Sequence, residues 1–235
     1  MIRPFAALLA LLLTAAAPAA SLPGLGAHDP RAVVDLAQAP WSALLRLQVP
    51  GVSRCTAVQI DRHLVLTAAH CLYSRRLGHF VPAAAVHLLS RYAGGNFVAH
   101  GVAAAIRIAD GYDPAHPVET RFADAALITL SEPIGSDSLL LAPDDPPPGT
   151  AAMLGGYSQD RAEVVLADRS CHVLAVTATE VRHDCTATRG VSGAPLLVPG
   201  GGGWRIAGIV FGAEVGQAGG AAVRLKTLQA LLAAP

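Results

Sequence analysis

Net charge is the first thing this chain of 235 residues lacks: 17 Lys and Arg stand against 17 Asp and Glu, and no run of Lys or Arg occurs. A protein that neutralises phosphates or docks on anionic lipid needs a basic footprint, so nucleic acid and other polyanions are not expected partners. Also missing is an apolar run of the 18 or more residues that a membrane span takes. The longest, from Phe5 to about Ala17, is too short. Arg3 precedes it and the A-x-A string Ala17-Pro18-Ala19 follows, so residues 1–19 read as a cleaved secretory signal. The expected location is therefore a periplasm or the cell exterior, with no stable membrane insertion. No C-x-x-C or H-x-x-x-H spacing, internal repeat or coiled-coil period is visible either, and no metal or cofactor is expected. What the chain does have is 52% hydrophobic residues, enough for a globular protein of one large or two small domains.

Four cysteines, Cys55, Cys71, Cys171 and Cys185, allow three pairings, and export to an oxidising compartment would let them form. Their positions suggest two local bridges, Cys55–Cys71 and Cys171–Cys185, each closing a loop of roughly 15 residues. Zinc is the rival reading, because His70-Cys71, Cys171-His172 and His183-x-Cys185 set imidazole beside thiol.

Residues 20–40 are punctuated by Pro and Gly and read as an N-terminal arm or short propeptide. From Trp41 short runs rich in Val, Ile and Leu recur: 42–49, 55–60, 63–68, 84–90, 102–108 and 125–130. Turn formers separate them, which argues for strands. A Pro-, Ser- and Asp-rich connection over 131–150 interrupts the pattern. It resumes at 151–157, 162–167, 171–178, 194–199, 204–212 and 221–225. The expected architecture is all-β, with a first unit over 41–130 and a second over 151–235. The tail "TLQALLAA" (227–234) has no β-branched residue after Thr227 and favours a closing helix.

Two strings carry chemistry. "RGVSGAP" (189–195) sets Ser192 between glycines, which by itself is compatible with an ordinary turn. "HLVLTAAHCLY" (63–73) ends a strand immediately before His70, beside a cysteine able to anchor it. Together with "DAALITL" (124–130) these strings resemble the trypsin-like serine peptidases, in particular the bacterial secreted branch that includes the glutamyl endopeptidase-like enzymes. The likeness extends to "DPRAVVDLAQAPWSALLRL" (29–47), "GGYSQDRAEVVLADRSCHVL" (155–174) and "HDCTATRGVSGAPLL" (183–197). It implies two antiparallel β-barrels of the chymotrypsin type and a peptide or protein substrate. It also implies Ser192 as nucleophile, His70 as general base and acid, Asp124 as the group orienting the imidazole, and the N–H groups of Gly190 and Ser192 as the oxyanion hole. Asp29, Asp110 and Asp113 are competing acids, but only Asp124 stands directly before an apolar strand. The residue two after Ser192 is Ala194, so the nucleophile elbow of α/β-hydrolases is disfavoured.

Departures from the resemblance are informative. Vertebrate digestive members carry an acid just before the nucleophile for an ion pair with a new N-terminus; Val191 cannot make one. Any activation uses another route, with a propeptide cut near Gly26–Asp29 as the candidate. The resemblance puts the specificity pocket at Thr186, Val210, Phe211, Gly212 and Ala213, with Gly219 to Ala222 opposite. Thr186 cannot neutralise Arg or Lys, and Val210 stands where the glutamyl branch has histidine, so a small or moderately apolar residue before the scissile bond is expected. A monomer is expected. The alternative of another class is a catalytically silent double barrel that serves as a binding module.

Overall fold

Leu45, Leu47 and Val49 alternate into one hydrophobic cluster while their neighbour Leu44 joins another, so strand periodicity feeds two cores at once. The computed structural model describes residues 22–135 and 137–234. The expected signal over 1–19 lies outside the described residues.

The first barrel contains β1 (Leu44–Val49), β2 (Ser53–Gln59), β3 (Leu64–Thr67), β4 (His87–Ser90), β5 (Ala99–Ile108) and β6 (Ala126–Leu130). It closes in the order β1-β2-β3-β6-β5-β4. Every pairing is antiparallel, with Leu47 opposite Cys55 and Leu88, and Leu66 opposite Val58 and Leu127. The second contains β7 (Ala151–Gly156), β8 (Leu166–Val176), β9 (Val181–His183), β10 (Pro195–Gly200), β11 (Gly203–Ala213) and β12 (Gly220–Arg224). Its order, β7-β8-β9-β12-β11-β10, repeats that of the first barrel and is closed by β8–β9 and β7–β10. This is the chymotrypsin-type double barrel.

Inward residues fill each barrel, and outward ones form a third layer between them. Leu44, Val58, Leu66 and Leu127 from the first barrel meet Met153, Leu197, Ile206 and Val223 from the second. Burial on both faces explains why these strands read as nearly continuous apolar runs. Helix α1 (Leu225–Ala233) adds Leu228 and Leu231 to that layer, one helical turn apart. It starts before the expected Thr227 because Asp145 pairs with Arg224 and accepts the Leu225 N–H at 3.4 Å.

Two elements differ from expectation. The runs 162–167 and 171–178 are not separate strands: β8 runs continuously from Leu166 to Val176. Asp168, inside it, is buried and accepts N–H groups of Ser170 and Thr186 at 3.1 and 2.9 Å, so its carboxylate is satisfied within the sheet. The other difference is β9, three residues long and too short to announce itself by periodicity.

Both expected bridges are present, Cys55–Cys71 and Cys171–Cys185. No thiolate therefore remains beside His70 or Asp184 to ligate a metal. The N-terminal arm is tied down, with Ala32 and Val33 pairing with Ala167 and Leu166 at the edge of β8. A C55A/C71A variant is expected to lose about 3 kcal/mol of stability by the loop-closure argument. Denaturant unfolding under non-reducing conditions checks this, with the parent protein as reference.

Candidate active site

Each barrel supplies part of one cleft. β3 ends at Thr67 and a 3-10 turn, Ala69–Leu72, carries His70 out of it. The neighbouring Cys71 is bonded to β2 through Cys55, which fixes the turn. Asp124 lies just before β6, and it is 5% exposed. One carboxylate oxygen accepts the His70 backbone N–H at 2.9 Å and the other meets Nδ1 at 2.7 Å. With Nδ1–H donated to the carboxylate, Nε2 is left as the proton acceptor. Ala125, directly after this acid, is fully buried, so the entry to the strand is packed.

Ser192 comes from the second barrel, between Gly190 and Gly193, with φ of +94° and +85°. Glycine is required at both for contact as well as conformation. A Cβ on Gly190 would stand 2.3 Å from the Tyr157 carbonyl oxygen, and one on Gly193 2.1 Å from that of Thr56. Neither the Gly190 nor the Ser192 N–H donates to an acceptor among the described residues. His70 and Ser192 line one cavity of about 710 Å³. Among the described residues no hydrogen bond joins their side chains; such bonds commonly tighten only when substrate is bound.

Thr56 couples the barrels and was not singled out from sequence. Its backbone N–H donates to the Ser192 carbonyl at 2.9 Å. Its buried hydroxyl donates to the Gly190 carbonyl at 3.0 Å and accepts the Tyr157 N–H at 2.9 Å. Thr67, at the end of the histidine strand, donates its hydroxyl to the Thr56 carbonyl at 2.9 Å. Adjacency to Cys55 was the available sequence signal.

Val191 is 2% exposed and packs inside the second barrel. A buried arginine of the arm, Arg31, bonds Asp29 at 2.8 Å, Asp160 at 2.7 Å and the Ser158 hydroxyl at 2.9 Å. The hydrogen bond from Arg31 holds the Asp29 carboxyl below the ordinary carboxylate range. The loop that Arg31 grips is joined to the Ser192 loop, because the Gln159 N–H donates to the Arg189 carbonyl at 2.6 Å.

A second cavity, about 250 Å³, opens beside Ser192 on the other side. Val210, Phe211, Gly212 and Ala213 line it together with Thr188, Val191 and Gly219. Thr186 is buried behind this wall rather than among the lining residues, its N–H held by Asp168. Two further contributors escaped the sequence reading. Pro23 of the arm lines the cavity; its neighbour Gly24 donates to the Glu214 carbonyl at 2.6 Å and accepts the Ala187 N–H at 3.1 Å. His183 also lines it, 2% exposed, with neither ring nitrogen hydrogen-bonded. Burial pushes its pKa down to about 4, so the imidazole is neutral at pH 7. Its place in "HDC" suggested a ligand pair with Cys185 rather than a pocket wall.

A family model described as trypsin matches residues 32–231. Comparison with curated proteins gives no match. Among solved structures, a Glu endopeptidase in complex with MPD is similar, with a TM-score of 0.74 and 18% identity over 88% of this chain and 97% of that one. At that identity the likeness carries the fold.

The buried neutral His183 has a consequence for acid stability. In the unfolded chain it takes a proton near pH 6.5, whereas in the fold it does so only near 4. The stability it contributes is fully present above about pH 6.5 and is lost as pH falls toward 4. Urea midpoints are expected to drop across that window, and H183L is expected to drop less.

Proposed function

Because the chain belongs to the trypsin family, we propose that it is an exported serine endopeptidase that cleaves through an acyl-enzyme formed on Ser192. Its class is that of trypsin-like serine peptidases, acting on peptide bonds. The observation that carries the finer reading is the two-point grip of Asp124 on His70, at 2.7 and 2.9 Å, on the wall of the cavity that holds Ser192.

In this reading Ser192 Oγ attacks the scissile carbonyl carbon as His70 Nε2 takes its proton. The carbonyl oxygen gains the negative charge and is held by the N–H groups of Gly190 and Ser192. Collapse expels the amine, which receives the proton from His70. Water then repeats the sequence on the ester, with His70 as base, and frees the carboxylate product and Ser192. Asp124 fixes the tautomer and stabilises the imidazolium; it does not itself take the proton.

The apolar wall of Val191, Val210, Phe211 and Ala213 supports a small or moderately apolar residue before the scissile bond. Neutral His183 offers that residue a hydrogen bond without a charge. The arm supports maturation by removal of a propeptide near Gly26–Asp29. Pro23 lines the specificity cavity, and a cut within Gly26–Asp29 that leaves Asp29 in place releases it while keeping the Asp29–Arg31 pair. N-terminal sequencing of active exported protein is expected to begin within that stretch; a start directly at Ala20 overturns the propeptide. The protein is read as a monomer.

A serine-directed phosphonate is expected to label Ser192 stoichiometrically, and S192A to lose both label and activity. Folded protein that takes no label would favour the binding-module alternative. D124N is expected to cut kcat by about 10⁴-fold, a magnitude borrowed from this family's reference enzyme. For G190A, the expected loss in kcat is about 10²- to 10³-fold, measured on protein whose circular dichroism matches the parent.

A further inference from the structure

The larger cavity beside Ser192 is charged in one sign. Arg46, Arg54, Arg75 and Arg189 line it, and no Asp or Glu does. The chain as a whole is neutral, 17 against 17, so this is a local concentration and not a reflection of overall charge. The four arginines come from β1, β2, the segment after the histidine turn, and the loop before the nucleophile. Chain neighbourhood does not group them; the fold does.

Their pairing separates them from a solvated face. Arg54, Arg75 and Arg189 are exposed, and their guanidinium groups make no hydrogen bond or ion pair among the described residues. Arg46 forms the buried part of the wall at 4% exposure. Its guanidinium lies 3.9 Å from the Tyr92 ring centroid and donates through Nη1 to the Ala162 carbonyl at 2.6 Å, while Nε has no partner. Of the carboxylates near this wall, one is paired with Arg46 itself and one with Arg31. Glu163 sits 3.5 Å from Arg46 and accepts the Tyr92 hydroxyl, and Asp160 pairs with Arg31. A cleft walled by protein and lined by one sign of charge focuses its field on whatever enters.

The side of the scissile bond follows from the placement of the two cavities. The specificity cavity lies against Val210–Ala213, whereas the arginine cavity lies against Cys55, His70 and the β1–β2 hairpin. A peptide acylating Ser192 with its preceding residue in the first cavity sends its departing half into the second. We propose that this cavity is a subsite for acidic residues within three positions after the scissile bond, so that the enzyme selects peptides with an apolar or small residue before the cut and Asp or Glu after it. Arg54, Arg75 and Arg189 supply the recognition, while Arg46, paired with Glu163, forms the buried part of the wall. The inference rests on the peptidase reading above.

Internally quenched peptides that share the sequence before the cut and carry Glu, Ala or Lys at the second and third positions after it test the proposal. The ratio of kcat/KM for the Glu peptide to that for the Ala peptide is expected to be about tenfold, and the Lys peptide is expected to fall below Ala. The Glu advantage shrinks as salt is raised from 0.01 to 1 M, because the exposed arginines are screened. R54E/R75E is expected to invert the Glu-to-Lys ranking. Each readout is a ratio within one protein sample, so partial misfolding does not imitate it. Cleavage of all three peptides at equal rates overturns the acidic subsite and leaves the peptidase reading standing. Failure to cleave any peptide, with no phosphonate label on Ser192, overturns the peptidase reading and the subsite with it.

Discussion

One contact between the barrels governs the rest: the Thr56 N–H donating to the Ser192 carbonyl at 2.9 Å. The histidine and the acid belong to one barrel and the serine to the other, so no single barrel contains the site. Close approach is what makes the contact possible, and Gly193 permits it, since a Cβ there would stand 2.1 Å from the Thr56 oxygen. The apolar layer of Leu44, Leu66, Leu197 and Ile206 supplies the attraction, but it has no direction of its own. The Thr56 backbone and hydroxyl bonds give it one, aligning Gly190 and Ser192 against the histidine turn. Orientation to within a fraction of an ångström is what catalysis by positioned groups demands.

Losing the acid before the nucleophile does not leave the nucleophile loop unsupported. Arg31 reaches from the arm to Ser158 and Asp160, and Gln159 of that loop bonds the Arg189 carbonyl. The ion pairs of Arg31 thus act on the loop of Ser158 to Asp160 and not on the residue beside the serine. Val191 fills the vacated space with apolar contacts. In this arrangement the arm is tied to the second barrel through Asp29 to Val33, by the Arg31 ion pairs and the pairing of Ala32 and Val33, while Pro23 lines the smaller cavity beside Ser192. One segment carries both contacts a few residues apart.

The double barrel was legible because strands buried on both faces announce themselves as apolar runs between Gly, Pro and Asp. The count of six strands in the second half came out right through two offsetting differences. β8 reads as two strands because Asp168-Arg169-Ser170 looks like a turn, and β9 has no periodicity to read in three residues. The disulfides were legible because the paired cysteines lie close in sequence, and the pairing of Asp124 with His70 because each stands in a short, chemically specific string. Thr56 and His183 were not, since their roles depend on partners more than a hundred residues away or on burial. No local pattern marks a threonine that bonds a distant glycine, or an imidazole left without partners. The arginine cavity was invisible for a related reason: its four members are scattered over about 140 residues, and only chain folding concentrates them.

Arg189 lines both cavities, the apolar one and the cationic one. A single residue therefore borders both spaces. Subsites that share a wall are not independent, and energies read one position at a time cease to add when residues share a partner. In the proposed reading, an acidic side chain held by Arg189 on the departing side draws the guanidinium away from the other cavity and changes the room available there. On that reading preference is a property of residue pairs spanning the cut, and a recognition rule written as a string of separate letters misses it.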